Sequence, residues 1–164
     1  MNKEEVYKYL RDNNIDFEVT EHPAVFHMGE NPDLVLPYPG SDAKNLFIRD
    51  KKKQNYYLIT VKGPKRVDLK AFRQEHGTTP LSFASEEDLW EKMELKPGSV
   101  TPLGLLNKDT SAIRFFLDRD FFEAPGLAGI HPNENTATVW IKPSDLIKLL
   151  EMHGNTVELV DIKE

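Results

Sequence analysis

The stretch that decides the fold runs from Ser41 to Gly63, SDAKNLFIRDKKKQNYYLITVKG. Lys44 to Arg49 and Tyr56 to Val61 are rich in apolar, β-branched and aromatic side chains, and the DKKKQN between them is polar throughout. This pattern predicts a β-hairpin whose turn carries Lys51, Lys52 and Lys53 into solvent. Lys44 stands apart from those three. It opens the first strand directly before Asn45, where a cation and an amide can point into the open end of a curved sheet.

Upstream, Asn2 with Glu5 three residues on has the form of a capping box and predicts a helix from about residue 3 to Asn13, with Val6, Tyr7 and Leu10 on one face. IDFEVTEH then alternates, placing Ile15, Phe17 and Val19 on one side of a strand. HPAVFHMGENPDLVLPYPGSDA is too broken by Pro and Gly for a long element and reads as a loop with a short helical turn, of a length often functional in compact domains. Downstream, a helix is expected near Asp68 to His76, with Gly77 just past its end. A second follows in SEEDLWEKMEL, capped by Ser85 with Asp88, burying Leu89 and Met93, and stopped by Pro97 and Gly98. Strands are expected around Val100 to Leu106, Ala112 to Leu117, Leu127 to Ile130 and Thr136 to Ile141. In the closing unit Ser144 caps SDLIKLLEMHG, whose Leu146, Ile147, Leu149 and Leu150 form an apolar face; Gly154 ends it and TVELVDI adds a last strand. Helices and strands mix without strict βαβ alternation, so the class is α+β with a mixed, largely antiparallel sheet that is curved or partly closed.

The 164 residues fit one domain spanning residues 1–164, large enough to bury a core without staples. With no cysteine there is no disulfide framework, thiol nucleophile or thiolate metal site, and the inside of a cell is the expected compartment. The opening MNKEEVYKYL lacks the apolar core of a signal peptide, and no stretch approaches the ~20 apolar residues of a membrane span. Twenty-one basic against 27 acidic side chains give a net charge of -6, which argues against indiscriminate binding to DNA or long RNA. The positive charge is nonetheless concentrated, at RDKKK (Arg49 to Lys53) and KGPKR (Lys62 to Arg66), which are ordinary solvated turns unless a polyanion is the partner.

Phosphate-loop, GxGxxG, HExxH and GxSxG patterns are absent, so nucleotide hydrolysis, dinucleotide redox, zincin and nucleophile-elbow chemistry have no textual support. Of the five histidines only His22 and His27 lie close together, at a spacing that fits no standard metal motif, and no metal or cofactor is expected. Three short features remain. Lys44-Asn45 is one. Gly98, Ser99, Val100, Thr101 and Pro102 form a Gly-x-x-x-Pro loop whose main-chain N–H groups can make an anion-binding nest. Gly129-Ile130-His131-Pro132 places a histidine at a strand end beside a glycine that admits a close approach. Each taken alone is also an ordinary strand end, connection or turn.

Together DAKNLFIRD, YYLITVKG, LKPGSVTPLGLLN and GIHPNENTATVWI resemble the YbaK-type aminoacyl-tRNA editing domain across nearly the whole chain, and most closely its freestanding prolyl-tRNA editing branch, the ProX group. The resemblance carries the family's lysine and asparagine onto Lys44 and Asn45, its Gly-x-x-x-Pro loop onto Gly98 to Pro102, and its late Gly-x-His-Pro element onto Gly129 to Pro132. It implies a cytoplasmic, metal-independent enzyme with a curved mixed sheet flanked by helices and a pocket at the sheet's open end. Lys44, Asn45 and His131 would be catalytic, with the loop and Gly129 lining the substrate. The implied reaction is hydrolysis of mischarged tRNA(Pro), chiefly Ala-tRNA(Pro), since alanine fits the proline pocket of a synthetase and each missing methylene discriminates by only ~1–3 kcal/mol. The partners implied are the acceptor end of that tRNA and prolyl-tRNA synthetase, with Lys51, Lys52, Lys53, Lys62, Lys65 and Arg66 as phosphate contacts. The alternatives are a deacylase for Cys-tRNA(Pro) or another small aminoacyl ester, and a binding domain that captures aminoacyl-tRNA or docks on a synthetase without catalysis.

Overall fold

The computed structural model describes residues 1–25 and 33–162. Helix α1 (Lys3–Asp12) starts on the reciprocal cap: Asn2 Oδ1 accepts from Glu5 N at 2.9 Å and Glu5 Oε1 from Asn2 N at 3.1 Å. Val6, Tyr7 and Leu10 are buried beneath it. Strand β1 (Phe17–Glu21) departs from simple alternation. Phe17 packs against the core, but Val19 is 37% exposed, and Thr20 accepts a hydrogen bond from the Trp140 indole at 2.9 Å. An edge strand paired on one side only needs no strict inner face. Residues 26–32 of the Pro- and Gly-rich loop, and His27 with them, lie outside the described residues, so the short turn expected in that loop is described only in part.

The hairpin forms as expected from β2 (Ala43–Asp50) and β3 (Tyr56–Lys62), with Lys44 opposite Val61 and Asn45 opposite Thr60. Its turn is organised by Asp50, whose carboxylate accepts from Gln54 N at 2.7 Å, Asn55 N at 3.1 Å and Asn55 Nδ2 at 2.7 Å. Burial works against that charge, but the bonds from Asn55 and Gln54 prevail and hold the carboxyl below its ordinary pKa. Helix α2 (Leu69–His76) runs from an Asp68 cap to left-handed Gly77. The sequence gives no sign of β4 (Leu81–Phe83), which pairs with the outer side of β2 at Ile48 to Asp50. Helix α3 (Glu86–Met93) has the Ser85–Asp88 box but ends at left-handed Glu94, before Pro97.

The strand expected over Val100 to Leu106 is instead a 3-10 helix, Pro102–Leu106. Proline at its first position fixes a helical φ, and Thr101 Oγ1 accepts from Leu103 N at 3.3 Å, so a capped turn outcompetes extension. The chain continues through β5 (Ile113–Asp118), β6 (Ala128–Ile130) and β7 (Ala137–Ile141). Helix α4 (Pro143–His153) has Lys142 at its N-cap and Pro143 in the first turn, so Ser144 lies inside the helix rather than capping it. Gly154 terminates α4 and β8 (Val157–Val160) closes the order.

The class is α+β as expected, with the strands divided between two sheets. One is antiparallel in the order β1-β7-β6; the other is mixed in the order β4-β2-β3-β5-β8, its last two pairings parallel. One core lies between them: Phe47, Leu58 and Phe115 from the larger sheet meet Ala128, Ile130, Val139 and Ile141 from the smaller. The opposite face of the larger sheet, with Leu46, Ile48, Ile59 and Phe116, is covered by Phe72 of α2. Burial on both faces explains the nearly unbroken apolar run of β3.

The sheets join at a parallel bridge between Asp42 and Gly129, where Gly129 N donates to Ser41 O at 2.9 Å. A β-carbon on Gly129 would sit 2.5 Å from Cζ3 of Trp140, a fully buried ring held by Thr20. Gly129→Ala should therefore lower stability by about 1–3 kcal/mol through overpacking. Urea unfolding should show a lower midpoint at unchanged slope; an unmoved midpoint would refute the tight seam.

Candidate active site

From the Asp42–Gly129 bridge the two chains run on in the same direction. Lys44 lies two residues past Asp42, and His131 two past Gly129. The seam thus sets the strand positions of two of the features singled out in the sequence relative to each other, with Lys44 on the face of β2 that carries Leu46 and Ile48 and Asn45 on the face that carries Phe47. Lys44 is half-buried and its Nζ donates to Lys65 O at 3.3 Å. Asn45 Oδ1 accepts from the buried Thr60 hydroxyl at 2.5 Å, which fixes the amide and turns its Nδ2 donors away from Thr60.

His131 Nδ1 lies 2.9 Å from Ala137 O. A carbonyl oxygen only accepts, so Nδ1 carries the proton and Nε2 presents a lone pair. Burial pushes the imidazole below its ordinary pKa, and the neighbouring His22 pushes the same way, while the bond to Ala137 and the Asp42 charge oppose them. The ring is accordingly neutral at pH 7. His22 is a site neighbour that the sequence reading grouped only with His27. Its ring centroid lies 6.2 Å from that of His131, its Nδ1 contacts Pro23 O at 2.9 Å, and its Nε2 contacts Thr138 Oγ1 at 2.9 Å. The available signal is the shared His-Pro dipeptide, at 22–23 and again at 131–132.

In the Gly-x-x-x-Pro loop Gly98 adopts a φ of +85°, a conformation other residues rarely take. Ser99 N is taken up by Lys96 O at 3.0 Å, while the N–H groups of Gly98, Val100 and Thr101 have no partner among the described residues. Val100 packs on the main core, and Thr101 is fully buried. Unpaired main-chain donors, buried at Thr101 and half-buried at Gly98 and Val100, suit a bound anion or carbonyl. At Gly129 the side a side chain would occupy is filled by Trp140, so the indole sets the requirement for glycine there.

The lysines sort by place. Lys51, Lys52 and Lys53 are exposed at the hairpin turn, about 20 Å along β2 from Lys44 at ~3.3 Å per residue. Lys62 ends β3, and Lys65 and Arg66 follow it, at Lys44's own end. Arg66 is exposed and Lys62 half-buried, with Nζ 3.4 Å from Asp120 O. Lys65 is turned to Asp118 Oδ2 at 2.8 Å and to Asp120, so its charge is already matched by carboxylates.

A family model of the aminoacyl-tRNA editing domain matches residues 18–149, a span that contains Lys44, Asn45, Gly98 to Pro102, Gly129 and His131. The prolyl-tRNA editing protein ProX of Acetoanaerobium sticklandii is 32% identical over 160 residues, covering 98% of this chain and 97% of that protein. Prolyl-tRNA synthetase associated domain-containing protein 1 of Mus musculus is 35% identical over 141 residues, covering 84% of this chain and 83% of its own. Among solved structures, a candidate trans-editing enzyme for prolyl tRNA synthetase aligns with a TM-score of 0.75 at 24% identity, over 99% of this chain and 96% of that one, a likeness of fold. The chain belongs to the aminoacyl-tRNA editing domain family.

Proposed function

We propose that the protein is a cytoplasmic, trans-acting aminoacyl-tRNA deacylase that hydrolyses mischarged tRNA(Pro), with Ala-tRNA(Pro) as its main substrate. The observation that carries this reading is the Asp42–Gly129 bridge, which lies two residues before Lys44 on one strand and two before His131 on the other, inside the segment matched by the editing-domain model. Relatives named for prolyl-tRNA editing and for association with prolyl-tRNA synthetase supply the tRNA and the second partner.

Water is the nucleophile. Its oxygen bonds to the ester carbonyl carbon, the bond to the ribose oxygen breaks, one of the water's protons passes to that oxygen and the other to solvent, and the amino acid leaves as a carboxylate. The tetrahedral oxygen is negative while it exists, and donors fixed beforehand stabilise it without reorganising. Unpaired N–H groups in Gly98 to Pro102 serve as those donors. Lys44 holds the terminal phosphate or ribose and offsets charge, since a lysine ammonium is a poor base unless strongly desolvated. The substrate's free 2′-hydroxyl orients the attacking water, and Asn45 Nδ2 aligns the ester. His131, neutral with its Nε2 lone pair available, accepts from the substrate's amino group or ribose hydroxyl. No step in this route calls on a metal.

Lys44→Ala should lower kcat on Ala-tRNA(Pro) by about 10²–10³-fold, the scale of one preorganised donor. Single-turnover deacylation against Ala-, Cys- and Ser-tRNA and free alanyl esters checks this; unchanged rates would end the reading. Because His131 sits below its ordinary pKa, kcat/KM should show no limb near pH 6.5 from this group, and a limb that His131→Asn removes would show it titrating normally. Double replacement of Lys51 and Lys52 by alanine should raise KM and lower the salt slope of kcat/KM by about 1–2, leaving kcat nearly intact. Equal losses in kcat and KM terms would contradict a steering role.

A further inference from the structure

We infer that Lys65, clamped by Asp118 and Asp120, is a positioning residue that sets the catalytic ammonium of Lys44 through its main-chain carbonyl. This deepens the proposed function and rests on it for the identity of the reaction.

Lys44 lies at the end of a strand, where a long flexible side chain would ordinarily sample several rotamers in water. In the structure one donor of its ammonium is fixed, on Lys65 O at 3.3 Å. That carbonyl belongs to the turn after β3, Gly63 to Arg66, which holds left-handed Gly63 and lacks a regular hydrogen-bond ladder of its own. At its start Gly63 N donates to Asp42 O at 2.9 Å, and Lys65 itself is held from 53 and 55 residues further along the chain. Lys65 Nζ meets Asp118 Oδ2 at 2.8 Å and also binds Asp120. Asp118 accepts as well from Lys62 N at 2.9 Å and, on its other oxygen, from Asp120 N at 3.1 Å. Lys62 Nζ reaches Asp120 O at 3.4 Å.

Asp118 is fully buried at the end of β5, so the clamp is anchored in the central sheet rather than in a loop. A buried carboxylate with three donors is stable only while all are supplied, which gives the turn one geometry. Burial alone would lower the Lys65 pKa, yet the bonds to the two carboxylates raise it, so the Lys65 ammonium stays charged throughout the neutral range. The same pairing neutralises Lys65 beside Lys44, so that the incoming phosphate or ester meets the Lys44 charge. A phosphate contact at Lys65 itself would have to displace two carboxylates, which separates its role from that of exposed Arg66.

Lys65→Met removes the ammonium while keeping the carbonyl; Lys65→Arg keeps a cation whose planar fork can serve both carboxylates. On Ala-tRNA(Pro), Lys65→Met should reduce kcat by about 10- to 100-fold, the scale of a misplaced catalytic group, with KM within about two-fold. Lys65→Arg and, less completely, Asp120→Asn should retain more of the wild-type kcat. A raised KM at unchanged kcat would instead make Lys65 a phosphate contact and overturn the inference, as would full activity in Lys65→Met. Acylation of lysines by an amine-reactive ester, read by mass spectrometry as the Lys44 to Lys70 ratio, tests the clamp without activity. The ratio should rise several-fold in Lys65→Met and return in Lys65→Arg; an unchanged ratio refutes the clamp. Wild-type protein inactive on every aminoacyl-tRNA, with the ratio still shifting, would sink the deacylase reading and leave the clamp standing.

Discussion

The junction between Asp42 and Gly129 is the constraint on which the rest depends. Two sheets with separate hydrogen-bond ladders meet there through one parallel bridge, and the Trp140 indole leaves no room for a side chain on Gly129. Because strand pairing fixes register, that contact sets where Lys44 and His131 stand relative to each other. The core between the sheets then makes the arrangement stiff: Phe47 and Phe115 from one side and Ile130 and Val139 from the other are all buried in the same cluster. Residues spread over both sheets inherit their relative placement from that packing.

Charge is arranged around the same junction by depth. Arg66 and Lys51 to Lys53 are exposed, where an ammonium or guanidinium is hydrated and contributes to steering. Lys65 lies deeper and is paired, and Lys44 is half-buried with a carbonyl as its protein partner. At that boundary a cation interacts more strongly with an incoming anion than it does in bulk water, because the surroundings are less polarisable. Lysine therefore stands in three settings within a stretch of little more than twenty residues, exposed, paired with carboxylates and half-buried on a carbonyl, and on the proposed function depth would decide the task of each.

Much of this is legible in the sequence. The hairpin, the two capping boxes and the left-handed glycines at 77 and 154 follow from local rules, because caps and turns are satisfied by groups a few residues away. Lys44, Asn45 and His131 are legible as candidates, and the resemblance ties them to one chemistry. What local rules miss is decided by distant partners. Pro102 and the Thr101 cap turn an apolar run into a 3-10 helix, and β4 exists because the free edge of β2 pairs with it. The pairing of Lys65 with Asp118 and Asp120 is invisible in KGPKR, which reads as five residues of uncommitted turn. His22 is hidden in the same way, since only the β1–β7 pairing brings it to Thr138 and His131.

The separation of the two basic clusters has a further consequence for how the molecule would use an RNA partner. About 20 Å of strand lies between Lys44 and the Lys51 to Lys53 turn, more than twice the ~8 Å screening length at physiological ionic strength. Exposed charges at that distance scarcely feel one another, so the turn cannot tune the Lys44 ammonium directly. Sites so far apart, without shared partners, contribute independently to the free energy. Contacts at the turn would then add the same binding energy to ground state and transition state alike, which lowers KM and leaves the chemical step alone. On the proposed function, discrimination among aminoacyl groups would fall to Asn45, His131 and the Gly98 to Pro102 loop, which offer an amide donor, one lone pair and unpaired main-chain N–H groups. A division of this kind lets affinity for the nucleic acid vary with salt while selectivity for the amino acid does not.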